Sequence, residues 1–218
     1  MSDKKRISKQ DIIKQFMNYV LEHNANPNSV YTFAKLNGFN EAEFYKYFAS
    51  FEAIEKDIFE TFSTNTIKVL NSSEDYNAFD ARNKLLSFYY TFFENLTANR
   101  SYIKLILNKH KNSFKGLKTL SGLKQHYTNY VGELDIQTLD VKQEQLEKLQ
   151  DSALKESAWI QLLITIKFWL EDTSVSFEKT DVFIEKSVNT TFDVLDVAPL
   201  KSVIDLGKFL FKEQFQMN

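Results

Sequence analysis

The sequence predicts an all-α protein, and two observations carry the prediction. The 218 residues include only five Gly and two Pro, so the residues that interrupt helices are scarce. Apolar side chains also recur with a period near 3.6 in one long stretch after another, as in helices with one buried stripe. The length suits one large domain or two small ones with a real core. Aromatic residues reach 15%, and Phe alone supplies twenty, which predicts large rings lining a core or a cavity.

Residues 1–7 form a basic arm, read either as a solvated tail or as a strand of positive charge for backbone phosphates. A helix is predicted over 8–23. Ser8 followed by Asp11 caps it, and Ile12, Ile13, Phe16, Tyr19 and Val20 face inward. Residues 24–28, with Pro27, connect to the next element. Ser29 is an N-cap, and Val30, Phe33, Ala34 and Leu36 give a short apolar stripe. Gly38 can take the left-handed conformation that ends a helix. Asn40 restarts the helix, and Glu43 three positions later completes a capping box. Phe44, Tyr45, Tyr47 and Phe48 make this helix aromatic. Ser50 caps a third pattern with Phe51, Ile54, Ile58, Phe59 and Phe62, which runs to about Leu70. Helix, glycine turn, helix fits both a helix-turn-helix and an αα-hairpin in an ordinary bundle.

Residues 71–75 are a polar break, taken as a domain boundary between 1–70 and 76–218. The helix predicted over 78–96 carries Phe88, Tyr89, Tyr90, Phe92 and Phe93, and should be buried on several sides. Residues 95–132 contain seven Lys/Arg and no Asp or Glu, while the whole chain is at −2. Such segregation fits an anionic ligand, an acidic lipid surface or an acidic partner, or else a solvated face balanced by the acidic residues 133–156. A long helix is predicted from 141 or 142 to 172. Its apolar second half suits packing both on its own domain and on another chain. After a turn at 172–176, a helix over 177–197 places Val182, Phe183, Val188, Phe192 and Leu195 on one stripe. Pro199 starts a last amphipathic helix.

No chemistry of catalysis is visible. There is no Cys, and His23, His110 and His126 lack metal-ligand spacing. No phosphate-cradling glycine loop or nucleophile motif occurs. Glu94, beside Phe92 and Phe93, reads as a solvated helix-end carboxylate. An enzyme is therefore disfavoured, with no catalytic residue, metal or cofactor expected. The N-terminus is no signal peptide, and no apolar run approaches the roughly 18 residues that span a bilayer. The expectation is a cytoplasmic protein.

Phe33-Ala34, Gly38 and Tyr45-Lys46-Tyr47-Phe48 resemble the N-terminal domain of the TetR family of bacterial repressors over roughly residues 8–62. That resemblance implies a three-helix helix-turn-helix headpiece on a larger helical ligand-binding and dimerisation domain. It further implies a homodimer, double-stranded DNA met by Ser29, Glu43, Tyr45 and Lys46, and a hydrophobic small ligand in an aromatic pocket. Phe88, Tyr89, Phe92, Phe93, Tyr127, Trp159 and Trp169 are the pocket candidates, with plain core as their other reading. The sequence departs from the family in two places. Phe51 stands where a phosphate-contacting lysine is usual, and Glu41 and Glu43 occupy the groove-facing start of the recognition helix. Residues 1–62 hold eight Lys/Arg against nine Asp/Glu, a weak charge for DNA.

A second resemblance covers about 17 residues. Asp172, Ser174, Phe177, Glu178, Thr180, Phe183, Glu185 and Val188 look like the late segment of the lipid-binding proteins of ubiquinone biosynthesis, which share the fold without binding DNA. It implies a lipid or isoprenoid ligand and peripheral membrane contact. Three functions follow: a one-component transcriptional regulator, a lipid-binding accessory protein, and a structural adaptor with a filled core.

Overall fold

The computed structural model describes residues 7–109, 118–136 and 144–196, and every long element among them is an α-helix. The basic arm, His110 and the last amphipathic helix lie at least in part outside the described residues.

Helix α1, Lys9–His23, begins where the sequence places it. Ser8 accepts from the Asp11 amide and Asp11 reaches back to Ser8, a complete capping box. Ile12, Phe16 and Val20 are buried, and Ile13 and Tyr19 are half-buried. Asn24 closes the helix in the left-handed conformation, which Asn tolerates better than most residues. Helix α2 spans Val30–Leu36 and α3 spans Glu41–Tyr45. Gly38 between them sits at φ 72°. Phe33, Ala34 and Phe44 are buried, but Leu36 is 66% exposed, because α2 ends at this residue and the chain turns away from its apolar face. Asn40 does cap α3, accepting from the Ala42 amide. Glu43 does not complete the expected box: its carboxylate pairs with Lys46 instead.

Helix α4 runs Phe51–Asn71. The predicted polar break then folds into a short helix α5, Glu74–Ala78, whose Tyr76 is buried. Helices α6, Ala81–Thr97, and α7, Arg100–Lys109, follow, with α8 over Ser121–Glu133. Helix α9, Glu144–Glu171, is continuous for 28 residues, about 42 Å at 1.5 Å per residue. A 3₁₀ turn at Val175–Phe177 leads into α10, Glu178–Asp196.

The described residues form two compact units. One takes Met1–Thr66 and Phe92–His126, the other Ile67–Thr91 and Tyr127–Asn218. In the first, four rings make the centre. Phe51 stacks on Phe16 at 5.5 Å and meets Phe33 and Phe44 edge-on at 5.8 and 5.5 Å. In the second, Phe88, Tyr89, Tyr127, Tyr130, Leu162, Trp169, Ile184 and Val188 are buried.

Candidate functional site

The aromatic centre of the first unit fixes how α2 and α3 are held. Phe33 from α2 and Phe51 from α4 both meet Phe16, and Phe44 from α3 packs on Phe33 and Phe51. Ring pairs in edge and offset geometry prefer particular angles, so the helix pair is braced from inside. Phe51, at the position where the resemblance leads one to expect a cation, is spent on this core.

The opposite side carries the predicted DNA contacts. Ser29 is exposed, and its hydroxyl is committed to the α2 cap: the Thr32 amide donates to it at 3.1 Å, and it shares a hydrogen with the Thr32 hydroxyl at 2.9 Å. Tyr45 is 54% exposed, with its hydroxyl 3.4 Å from Glu41. Lys46 donates to Glu43. The structure thus brings Glu43, Tyr45 and Lys46 together on α3 and its C-cap and leaves Ser29 at the start of α2. Tyr31 and Tyr47 are exposed as well. Sequence periodicity could have found both, since each falls off the buried stripe.

The seven pocket candidates are all buried. Phe88, Tyr89 and Tyr127 touch: Phe88 lies 5.1 Å from Tyr127, and Tyr89 meets Tyr127 edge-on at 6.3 Å. Trp159 and Trp169 lie on α9 of the same unit, Trp169 against Phe177 at 6.3 Å. Phe92 and Phe93 pair at 5.7 Å and belong to the first unit.

The hydroxyls of this region were not legible in the periodicity. Tyr127 donates to Tyr89 at 3.2 Å, and Tyr89 bonds Thr165, which donates to the Gln161 carbonyl at 2.8 Å. Tyr130 donates to the Lys84 carbonyl at 2.9 Å, so its 2.8 Å bond to Tyr76 is donated by Tyr76. Each chain ends on a backbone oxygen, as a buried polar group requires. Burial raises the pKa of Tyr89, Tyr127 and Tyr130 far above the ordinary phenol range.

Asp172 organises the turn between α9 and α10. One carboxylate oxygen accepts from the Ser174 amide and hydroxyl at 2.8 and 2.6 Å. The other accepts from the Thr180 amide and hydroxyl at 2.9 and 2.7 Å. Burial pushes the carboxyl's pKa up, but these four donors outweigh it and hold the group well below the usual carboxylate range. Ser176 and Phe177 inside the turn both have positive φ, 52° and 61°, a conformation that L-residues adopt at a cost. Three residues of the second resemblance, Asp172, Ser174 and Thr180, are therefore a structural tie.

Helices α9 and α10 pack on each other. Phe168 stacks on Phe183 at 4.6 Å, and Gln161 bridges Ser187 and Thr191 at 3.3 Å each. Both helices keep apolar side chains outward: Ile160 and Ile164 on α9, Val182 and Val194 on α10. Among the described residues, no cluster of three or more His or acidic side chains could hold a metal ion. No helix among them is long and apolar enough to cross a membrane.

A family profile described as tetracyclin repressor-like, C-terminal domain, matches residues 84–210. A search of curated proteins finds no significant match.

Proposed function

The chain belongs to the tetracyclin repressor-like family, and on that premise we propose that it is a one-component transcriptional regulator. A headpiece over residues 1–70 reads double-stranded DNA, and a body over 76–218 dimerises and takes a hydrophobic small ligand. The observation that carries this reading is the braced pair α2 and α3 around the Gly38 turn, with Tyr45 and Lys46 exposed at the second helix. A rigid pair of helices around a glycine turn is what a recognition helix needs to keep its angle in a major groove. The homodimer forms through the outward apolar faces of α9 and α10, around Ile160, Ile164, Val182 and Val194. A two-fold pair of headpieces then sets the spacing of two half-sites. Ligand taken up within the second unit, among Phe88, Tyr89, Tyr127, Trp159 and Trp169, shifts the population between DNA-competent and incompetent dimers.

Selection of binding sites from randomised duplex DNA, at about 50 and 200 mM salt, tests the DNA half. Enrichment of a palindrome is the expected result. No binding at the lower salt overturns it.

A second reading is favoured by one feature, the Glu43–Lys46 pair. It internally neutralises the α3 cation, while Phe51 serves the core. On this reading the headpiece has left DNA, and the protein is a lipid-binding accessory on the same fold. Mass spectrometry of lipid extracted from the purified protein, with no DNA bound, is its expected signature.

A further inference from the structure

Two hollows lie side by side on the first unit. One, of about 650 Å³, is bounded by α1, α4 and the turn between α6 and α7. The other, of about 730 Å³, is bounded by the loop after α1 and one face of α7. Both include Ser101, and α1 packs on α7, so the two form one groove. Lys14, Arg100, Lys104 and Lys109 line it, and among the described residues none of the lining side chains is acidic. That is unusual in a chain with more acids than bases, because a solvated helical face ordinarily intersperses both signs. The basic segment noticed in the sequence supplies three of the four cations.

Three further features make the groove selective. Arg100 and Lys104 stand one turn apart on α7, about 6 Å along the axis. Arg100, Ser101 and Tyr102 line the hollow as the first turn of α7, where the helix dipole favours an anion. The rest of the wall is apolar. Ile13, Met17 and Leu21 recur every four residues on α1, a second stripe beside the Ile12, Phe16 and Val20 stripe that fills the core, and Leu105 faces the neighbouring hollow.

We propose that this groove binds a single-chain amphiphile with an anionic head. The head sits at Arg100, Lys104 and the α7 N-terminus, and the chain lies along Ile13, Met17 and Leu21. The site is separate from the aromatic residues given to the hydrophobic ligand above, and it does not depend on DNA binding.

The chain has three Met residues, and Met17 lines the groove. With methyl-labelled Met, titration of the full-length protein with dodecyl phosphate below its micelle concentration should move the Met17 signal saturably. Trp159 and Trp169 emission should stay unchanged. Inorganic phosphate and uncharged dodecanol should each leave the signal in place. Arg100→Gln with Lys104→Gln should weaken binding at least about tenfold. Should that pair lower the melting temperature, Lys104→Gln alone, at an exposed position, should weaken it about fivefold. No Met17 shift, an equal shift with inorganic phosphate or dodecanol, or a shift only with phosphatidylglycerol vesicles overturns the proposal. The last of these would make the face a membrane contact.

Discussion

Gly38 sits at φ 72° with nothing within 4 Å of where a Cβ would stand. The position is therefore held open by backbone conformation and not by crowding. Gly38→Ala should cost about 1 kcal/mol, and Gly38→Asn less, since Asn visits the left-handed region more easily. Urea midpoints at fixed m-value measure both. Asp172 is the other single residue with a large expected effect. Asp172→Ala should cost about 2 kcal/mol at pH 7, from the lost α10 cap and the stranded donors of Ser174 and Thr180. Its folded pKa is depressed, so its contribution is present above the unfolded value of about 3.9 and is lost as pH falls toward the folded one. The gap between wild type and variant should therefore narrow as melts are repeated from pH 5 down to pH 2. An unchanged gap at the lowest pH would assign the loss to packing. Both residues were visible in the sequence as a turn glycine and a motif aspartate. The positive φ of Ser176 and Phe177 was not, because neither residue type announces it.

At the scale of elements, helix existence was readable and helix chemistry only in part. Ser8, Ser29 and Asn40 cap as their residue types predict. Glu43 was drawn from its capping box by Lys46 three residues on, a competition that spacing alone cannot decide. Leu36 fits the stripe by type and is exposed by geometry, since α2 is too short to carry it inward. Residues 71–75 read as a polar break, and the short helix Glu74–Ala78 that overlaps them is anchored by one buried ring, Tyr76, held by Tyr130. The outward Ile160 and Ile164 on α9 give a sharp test of the proposed dimer. Ile164→Glu should leave helicity unchanged and weaken self-association at least about a hundredfold. In a two-fold interface the charge is buried twice. Light scattering across a concentration series reads this directly. A variant that associates as wild type does places the interface elsewhere.

For the molecule as a whole, charge is the quantity the sequence conveys best. The +7 segment at 95–132 leaves −9 for everything else, and the structure turns part of that segment into one wall of a groove. What linear reading cannot convey is interleaving. The two compact units each draw on separated stretches, and the chain passes between them inside α4, α6 and α8, where no composition change marks the crossing. Global electrostatics also bears on the regulator reading. Glu43→Gln releases Lys46 and removes a negative charge from α3. DNA affinity should rise about tenfold at about 50 mM salt, with the salt slope steeper by about one. A variant that still binds no DNA favours the lipid-binding reading.

The paired tyrosine hydroxyls give the protein an internal optical clock. Tyr89, Tyr127 and Tyr130 hold their protons far above pH 10 while folded, and any unfolded chain surrenders them near that value. Native structure is thus progressively undermined by alkali as pH climbs past about 10. After a jump to about pH 11.5, phenolate absorbance should rise in two stages. Solvent-accessible rings ionise within the mixing time, and the paired ones follow only at the rate of unfolding. The slow amplitude then counts enclosed phenols, and its half-time reports kinetic stability without any denaturant or label.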